Sequence, residues 1–238
     1  MKRSPRSLSL LAALGLCCGA AGAQTAATPL KVPDTIAQRV QACTPCHGKE
    51  GRATAEGYFP RIAGKPAGYL YNQLLNFRNG YRPNPTMNYL VEHLTDEYLL
   101  EIARYFSALD LPYPSPQTRG ANAQVLARGQ ALTVRGDPAR KIPACAQCHG
   151  IGLNGVNPAI PGLLGLPRDY LVAQLGAWKT RQRRAAQPDC MALVAEQLTA
   201  EEVSAVATWL SSQPVPAHTK LEAPPTEPLP LACGSGLK

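Results

Sequence analysis

Apolar residues recur at helical spacing in four stretches of this chain. Leu70, Leu74 and Phe77 form one stripe, and Leu171, Leu175 and Trp178 form a second. Ile102, Tyr105, Phe106 and Leu109 make a third, and Val203, Val206, Trp209 and Leu210 a fourth. Pro66 and Asp169 start the first two helices, and Asp34 is placed to cap an earlier helix running into Cys43. Thr95, Asp96 and Glu97 put a cap and two acids at the positive end of the third helix. Thr199 and Glu202 have capping-box spacing before the fourth, with Leu198 as the apolar residue ahead of the cap. Nothing reads as a sheet, so the expected fold class is all-α.

The four stripes are two pairs, because the chain is a duplication. Pro60, Gly64, Pro66, Tyr69 and Leu70 return as Pro161, Gly165, Pro167, Tyr170 and Leu171 at an offset of 101. Gln73-Leu74 matches Gln174-Leu175, and Phe77 matches Trp178. Met87, Leu94, Thr95 and Glu97 match Met191, Leu198, Thr199 and Glu201 at an offset of 104. Three prolines between Leu111 and Gly120 mark a linker at 112–120. The expected division is therefore residues 24–111, the linker, residues 121–212, and a proline-rich extended tail over 213–238. Each module is under about 100 residues, where a protein's own apolar core is marginal. Helices wrapped around a flat apolar cofactor solve that problem.

The cysteines point to the cofactor. Four of the eight fall in Cys43-Thr44-Pro45-Cys46-His47 and Cys145-Ala146-Gln147-Cys148-His149, two copies of C-x-x-C-H. This is the c-type haem attachment pattern. Two thiols on one helical turn each add across a haem vinyl group, and the next residue offers its imidazole to the iron. A zinc tetrad would leave two equivalent histidines without a purpose. A thioredoxin-like dithiol needs a βαβ context that the flanks lack.

An electron carrier wants both axial positions of its iron filled. Apart from the initiator, the chain holds two methionines, Met87 and Met191, one per half and each eight residues before its capping threonine. An isolated Met reads as core filler. Paired Met in a duplicated haem module reads as the sixth ligand, and thioether sulfur raises the reduction potential. His93 and His218 are the competitors. His93 is matched by Gln197 rather than by a histidine, and His218 lies in the tail. Two matched Met ligands also weigh against a diheme peroxidase, which needs an open or displaceable site.

Residues 1–23 have the form of a cleavable signal peptide. Lys2, Arg3 and Arg6 precede a short apolar run, and Ala21-Gly22-Ala23 fits the cleavage site before Gln24. Cys17 and Cys18 raise a lipid-anchor alternative, but neither is preceded by the small residue that processing wants. Export to the periplasm is the expectation. The formal charge of +8 falls to +5 once the three basic residues are removed. A basic exported protein meets acidic partners or anionic headgroups, or simply carries a solvated surface. Nucleic acid is a poor partner in that compartment.

With these motifs the chain resembles the diheme class I cytochromes c of the cytochrome c4 type. Pro60-Arg61-Ile62-Ala63-Gly64, Pro161-Gly162-Leu163-Leu164-Gly165 and the Met87 and Met191 segments carry the likeness alongside the two C-x-x-C-H-G motifs. The resemblance covers roughly residues 34–212. It implies two tandem domains, each around one covalent haem c, packed with haem edges close. Electrons would pass between them to a terminal oxidase or from a dehydrogenase. It also implies that the carbonyls of Pro60 and Pro161 accept the Nδ1–H of His47 and His149, and that Tyr69, Phe77, Tyr170 and Trp178 line the haems. Two departures stand out. Cys190 and Cys233 are left over after haem attachment, and in an oxidising compartment the plain reading is a disulfide tying the tail over the second methionine loop. The tail, with Arg181, Arg183 and Arg184, offers a docking patch for a dedicated partner. A free electron shuttle is the leading reading, and the cytochrome subunit of a dehydrogenase complex is the alternative.

Overall fold

The four apolar stripes lie along the helices Ala67–Arg78, Asp96–Ser107 (with Leu109 just past its end), Arg168–Lys179 and Ala200–Ser212, and six further α-helices bring the described residues to five in each half of the duplication. The computed structural model describes residues 32–54, 57–116, 122–216 and 220–236; the signal segment, His218 and the end of the linker lie outside them. The first half holds α1 (Ile36–Arg39), α2 (Thr44–His47), α3 (Ala67–Arg78), α4 (Pro85–Val91) and α5 (Asp96–Ser107). The second holds α6 (Ala123–Arg135), α7 (Cys145–His149), α8 (Arg168–Lys179), α9 (Cys190–Gln197) and α10 (Ala200–Ser212). No helix of the described residues is long and apolar enough to cross a membrane.

The capping threonines act as their spacing predicts. Thr95 Oγ1 accepts from the Tyr98 amide at 3.3 Å, and Thr199 and Glu202 form the reciprocal box at 3.2 and 3.0 Å. At the start of the chain the expectation needs correcting. Thr35, not Asp34, caps α1, and Asp34 instead accepts from Arg39. The helix expected to run into Cys43 is also broken: α1 gives way to a 3₁₀ segment over Val40–Cys43 before α2. Pro66 and Pro167 are the caps of α3 and α8, so α8 begins at Arg168 rather than at Asp169.

One small sheet was not expected. Gly155–Val156 (β1) pairs antiparallel with Ile160–Pro161 (β2). Two residues per strand leave no alternation to detect. The free edge of β1 is taken by the tail, where Glu222 N–H donates to Gly155 O and Asn157 N–H donates to Glu222 O.

α3 packs on α5 in the first half, around Val40, Leu70, Ile102 and Phe106. α10 packs on both α6 and α8 in the second, around Leu132, Leu171, Val203, Val206 and Leu210. α6 crosses α10 at Gly129, where an added Cβ would lie 2.2 Å from Ala205 O. Asp34 to Lys238 form one compact unit, so the two cores share a seam.

Candidate functional site

Each haem motif is a short helical turn with its histidine ring fixed from behind. Nδ1 of His47 lies 2.9 Å from Pro60 O, and Nδ1 of His149 lies 2.7 Å from Pro161 O. A carbonyl only accepts, so Nδ1 carries the proton and Nε2 is left with its lone pair. Burial pushes both imidazoles below the ordinary histidine pKa and favours the neutral form. A neutral ring with a free Nε2 is the form that binds iron. The chain turns sharply after each histidine. Gly48 and Gly150 hold positive φ, and a Cβ on Gly48 would sit 2.3 Å from Ala53 O.

Cys43, Cys46, Cys145 and Cys148 take no part in a disulfide. Burial raises the pKa of Cys43 and Cys148, and pushes Cys145 up to about 11. All four, with His47, Met87, His149 and Met191, line one continuous cavity of about 1120 Å³. Tyr69, Phe77, Tyr170 and Trp178 line it too. Met87 is set by Asn84, whose side chain accepts from its backbone N–H at 3.0 Å. Met191 follows Asp189, which caps α9 through Ala192 N–H at 3.1 Å. His93 stays outside the cavity lining, with its side chain 89% exposed and paired with Glu92. Thiols, neutral imidazoles, thioethers and apolar walls fit a covalently held haem in each half.

The family follows from comparison with known proteins. A family model described as cytochrome c matches residues 126–214. The thiosulfate dehydrogenase electron acceptor of Thiomonas intermedia (strain K12) is 36% identical over 88% of this chain and 92% of its own length. A cytochrome c4 of Thiocapsa roseopersicina is 30% identical over 71% of this chain and 85% of its own. The chain belongs to the cytochrome c4-type diheme cytochromes c. Two covalent haems c and single-electron transfer to and from redox partners come with that membership. A solved thiosulfate dehydrogenase from Marichromatium purpuratum superposes with a TM-score of 0.65 and 35% identity, over 72% of this chain. This chain spans 36% of that longer one.

This c4-type chain also differs from its sequence reading at the seam. Of the three arginines read as a docking patch, Arg183 is 4% exposed and points inward, stacked over Trp178 at 3.7 Å. Arg181 is exposed and pairs with Glu196, and Arg184 lies over Tyr81 at 5.3 Å. Sequence reasoning assigned no separate role to Arg61, Lys65 or Arg82. Arg61 is buried and donates to the carbonyls of Ala63, Leu111 and Pro112, which anchors the start of the linker. Lys65 reaches across to Gly162 O at 3.0 Å. Arg82 repeats as Arg183 at the same offset of 101, so extending the repeat past Phe77 would have found the pair.

The two leftover cysteines are joined. Cys190 and Cys233 form a disulfide that closes 43 residues. The tail is extended and packed: Leu229, Leu231 and Cys233 line the haem cavity, and Asn72 Nδ2 donates to Ser235 O. At its other end the Glu222 carboxylate accepts from Ile151 and Gly152 N–H, beside the second haem motif.

Proposed function

We propose that this chain is the electron-accepting partner of an exported dehydrogenase that oxidises thiosulfate or a related sulfur oxyanion. His47 with Met87 and His149 with Met191 are its axial pairs, and Cys43, Cys46, Cys145 and Cys148 hold the haems. The likeness to the Thiomonas acceptor along nearly that protein's whole length carries this reading. The haems supply a one-electron couple with no change of ligands. The protein's own residues orient the imidazoles through Pro60 and Pro161 and exclude water with the cavity's apolar walls. Electrons leave to a further redox protein such as a terminal oxidase. The Cys190–Cys233 disulfide supports an oxidising, periplasmic setting, consistent with a leader over residues 1–23. In the sequence, residues 122–212 hold nine basic residues against six acids, while 34–111 balance at eight each. That asymmetry gives an acidic partner or an anionic membrane surface an electrostatic approach.

The test is rapid mixing of the oxidised holoprotein with a thiosulfate dehydrogenase and thiosulfate. Both haems are expected to reduce within the enzyme's turnover time. Absence of reduction, with chemical reductants still effective, removes the partner assignment. Met87→Ala and Met191→Ala should each abolish half of the sulfur-to-iron charge-transfer band. An unchanged band would remove that methionine from the ligand set.

A further inference from the structure

The methionine helices of the two halves are tied alike at one end and differently at the other. At the far end Arg78 donates to Leu94 O at 2.8 Å, and its repeat Lys179 donates to Leu198 O at 2.7 Å. At the end that carries the methionine, the first half uses two asparagines. Asn84 Oδ1 accepts from Met87 N–H at 3.0 Å, and Asn88 Oδ1 accepts from Asn84 N–H at 2.7 Å. Asn88 Nδ2 also donates to Phe77 O, which fastens α4 to α3 beside Met87.

At the offset of 104 that pairs the methionines, Asn84 becomes Pro188 and Asn88 becomes Ala192. Neither side chain donates or accepts a hydrogen bond, so the second half has lost this clamp. Asp189 restores only a local cap. Its buried carboxylate accepts from Ala185 N–H at 2.8 Å and from Ala192 N–H at 3.1 Å, both within the same segment. What reaches out of that segment is covalent. Cys190, the residue before Met191, is bonded to Cys233. The tail is pinned next to Cys233: Gly234 N–H donates to Pro188 O at 2.9 Å, and Asn72 Nδ2 of α3 donates to Ser235 O at 3.3 Å. The fit is close, because a Cβ on Gly234 would lie 2.3 Å from Gln187 O. Cys190, Met191 and Cys233 all line the haem cavity.

We propose that the Cys190–Cys233 disulfide holds Met191 at the second iron, the part that Asn84 and Asn88 play for Met87. The sixth ligand of the second haem is then under thiol control, and that of the first is not. A dithiol reductant gives two electrons and two protons to this bond, leaving two thiols in the protein and a disulfide in the reductant. With the bond open, the start of α9 keeps its Asp189 cap but loses its tie to the tail. The methionine then spends more time away from the iron, and an outside ligand binds there in proportion to that open fraction. Cys190 and Cys233 are positioning residues, acting through Met191. The proposal rests on the axial pairs given above, and its test needs no dehydrogenase.

The experiment is an imidazole titration of the ferric holoprotein, followed at the sulfur-to-iron charge-transfer band and at the shifted methyl resonances of the two methionines. Three samples are compared: the native protein, Cys233→Ser, and native protein whose disulfide has been opened. The last is treated with dithiothreitol, capped with N-ethylmaleimide and reoxidised with ferricyanide. It needs no refolding, so the test stands even where Cys233→Ser fails to mature. Opening the disulfide should raise imidazole affinity at the second haem about tenfold and leave the first unchanged. Asn88→Ala should raise it at the first haem alone. Gly129→Ala loosens the second half far from Met191, and Glu222→Gln loosens the other anchor of the tail; both should leave the two affinities as they are. Unchanged affinity at the second haem, or an equal rise at both haems, would overturn the proposal. So would an equal rise in Gly129→Ala or Glu222→Gln, because general loosening would then expose the iron. A native protein with no methionine resonance at its second haem would remove the axial assignment and this proposal with it, whereas the other outcomes leave that assignment in place.

Discussion

The two halves carry the same haem chemistry on unequal scaffolds. In the second, α6 runs from Ala123 to Arg135 and crosses α10 so closely that only a glycine fits at position 129. In the first, the corresponding helix α1 has four residues and passes at once into a 3₁₀ turn. The ionic contacts differ in the same sense. Arg39 links α1 to Glu101 of α5 through side chains that are 37% and 45% exposed. Glu202 of α10 is nearly buried and accepts from Arg140 at 2.6 and 3.1 Å, from Arg128, and from the Thr199 amide. The second half also has the tail, held by the disulfide at one end and by Glu222 at the other. A duplicated motif therefore does not impose a duplicated stability. The attachment site repeats because chemistry fixes its spacing, whereas the surrounding contacts are free to diverge.

Breaking the second half's devices one at a time sharpens that contrast. Both tryptophans lie in the second half, so fluorescence during denaturant unfolding reports on it directly. Cys233→Ser should have the largest effect, about 4 kcal/mol on the chain-entropy account of a loop of this length, with the loss confined to the second half. Unfolding of both halves together would show that the tail holds the seam as well. Gly129→Ala should cost about 3 kcal/mol, because the new methyl meets a backbone carbonyl that cannot rotate away. Glu202→Gln should cost about 2 kcal/mol, discounted from a fully buried pair for the solvent around its arginines. The exposed ion-pair glutamate of the first half, Glu101→Gln, should leave the unfolding midpoint where it is. Equal effects of the two glutamate substitutions would dissolve the asymmetry.

Glu202 also sets an acid limit. The hydrogen bond from Arg140 leads in holding its carboxyl at about 2, below the ordinary glutamate value of about 4.3. A depressed folded pKa stabilises above the unfolded value and is lost as pH falls through the folded one. The second half should therefore weaken between about pH 4.5 and pH 2, and Glu202→Gln should flatten that part of its pH–stability profile.

Much of this was legible in the chain. The two C-x-x-C-H motifs, the offset repeat and the threonine caps depend on local spacing, and local spacing is what a sequence displays. Gln73 and Gln174 were visible as repeated residues, yet that each accepts from both Arg82 and Arg183 was not, because this arises only where two segments separated by a hundred residues meet. Arg183 was misread for the same reason. A charge run reads as solvated surface until packing shows which member faces inward. β1 and β2 are too short for any periodicity, and β1's partnership with Glu222 comes from a tail whose sequence is merely proline-rich. Thr35 displaced Asp34 as the first cap because Asp34 found Arg39, a competition between two good caps that adjacency alone cannot decide.

By itself the sequence determined the cofactor, its number, the helical class and the pairing of each half with one methionine. These follow from covalent chemistry at fixed spacing and from helical period, both properties of neighbouring residues. Only the tertiary structure decided that Cys190 meets Cys233, that the tail covers the second haem's surroundings, and that two like-charged arginines share acceptors at the seam. Those are contacts between distant segments, set by how two separately legible cores pack together, and burial, which assigns a charged side chain its role, exists only once they have packed.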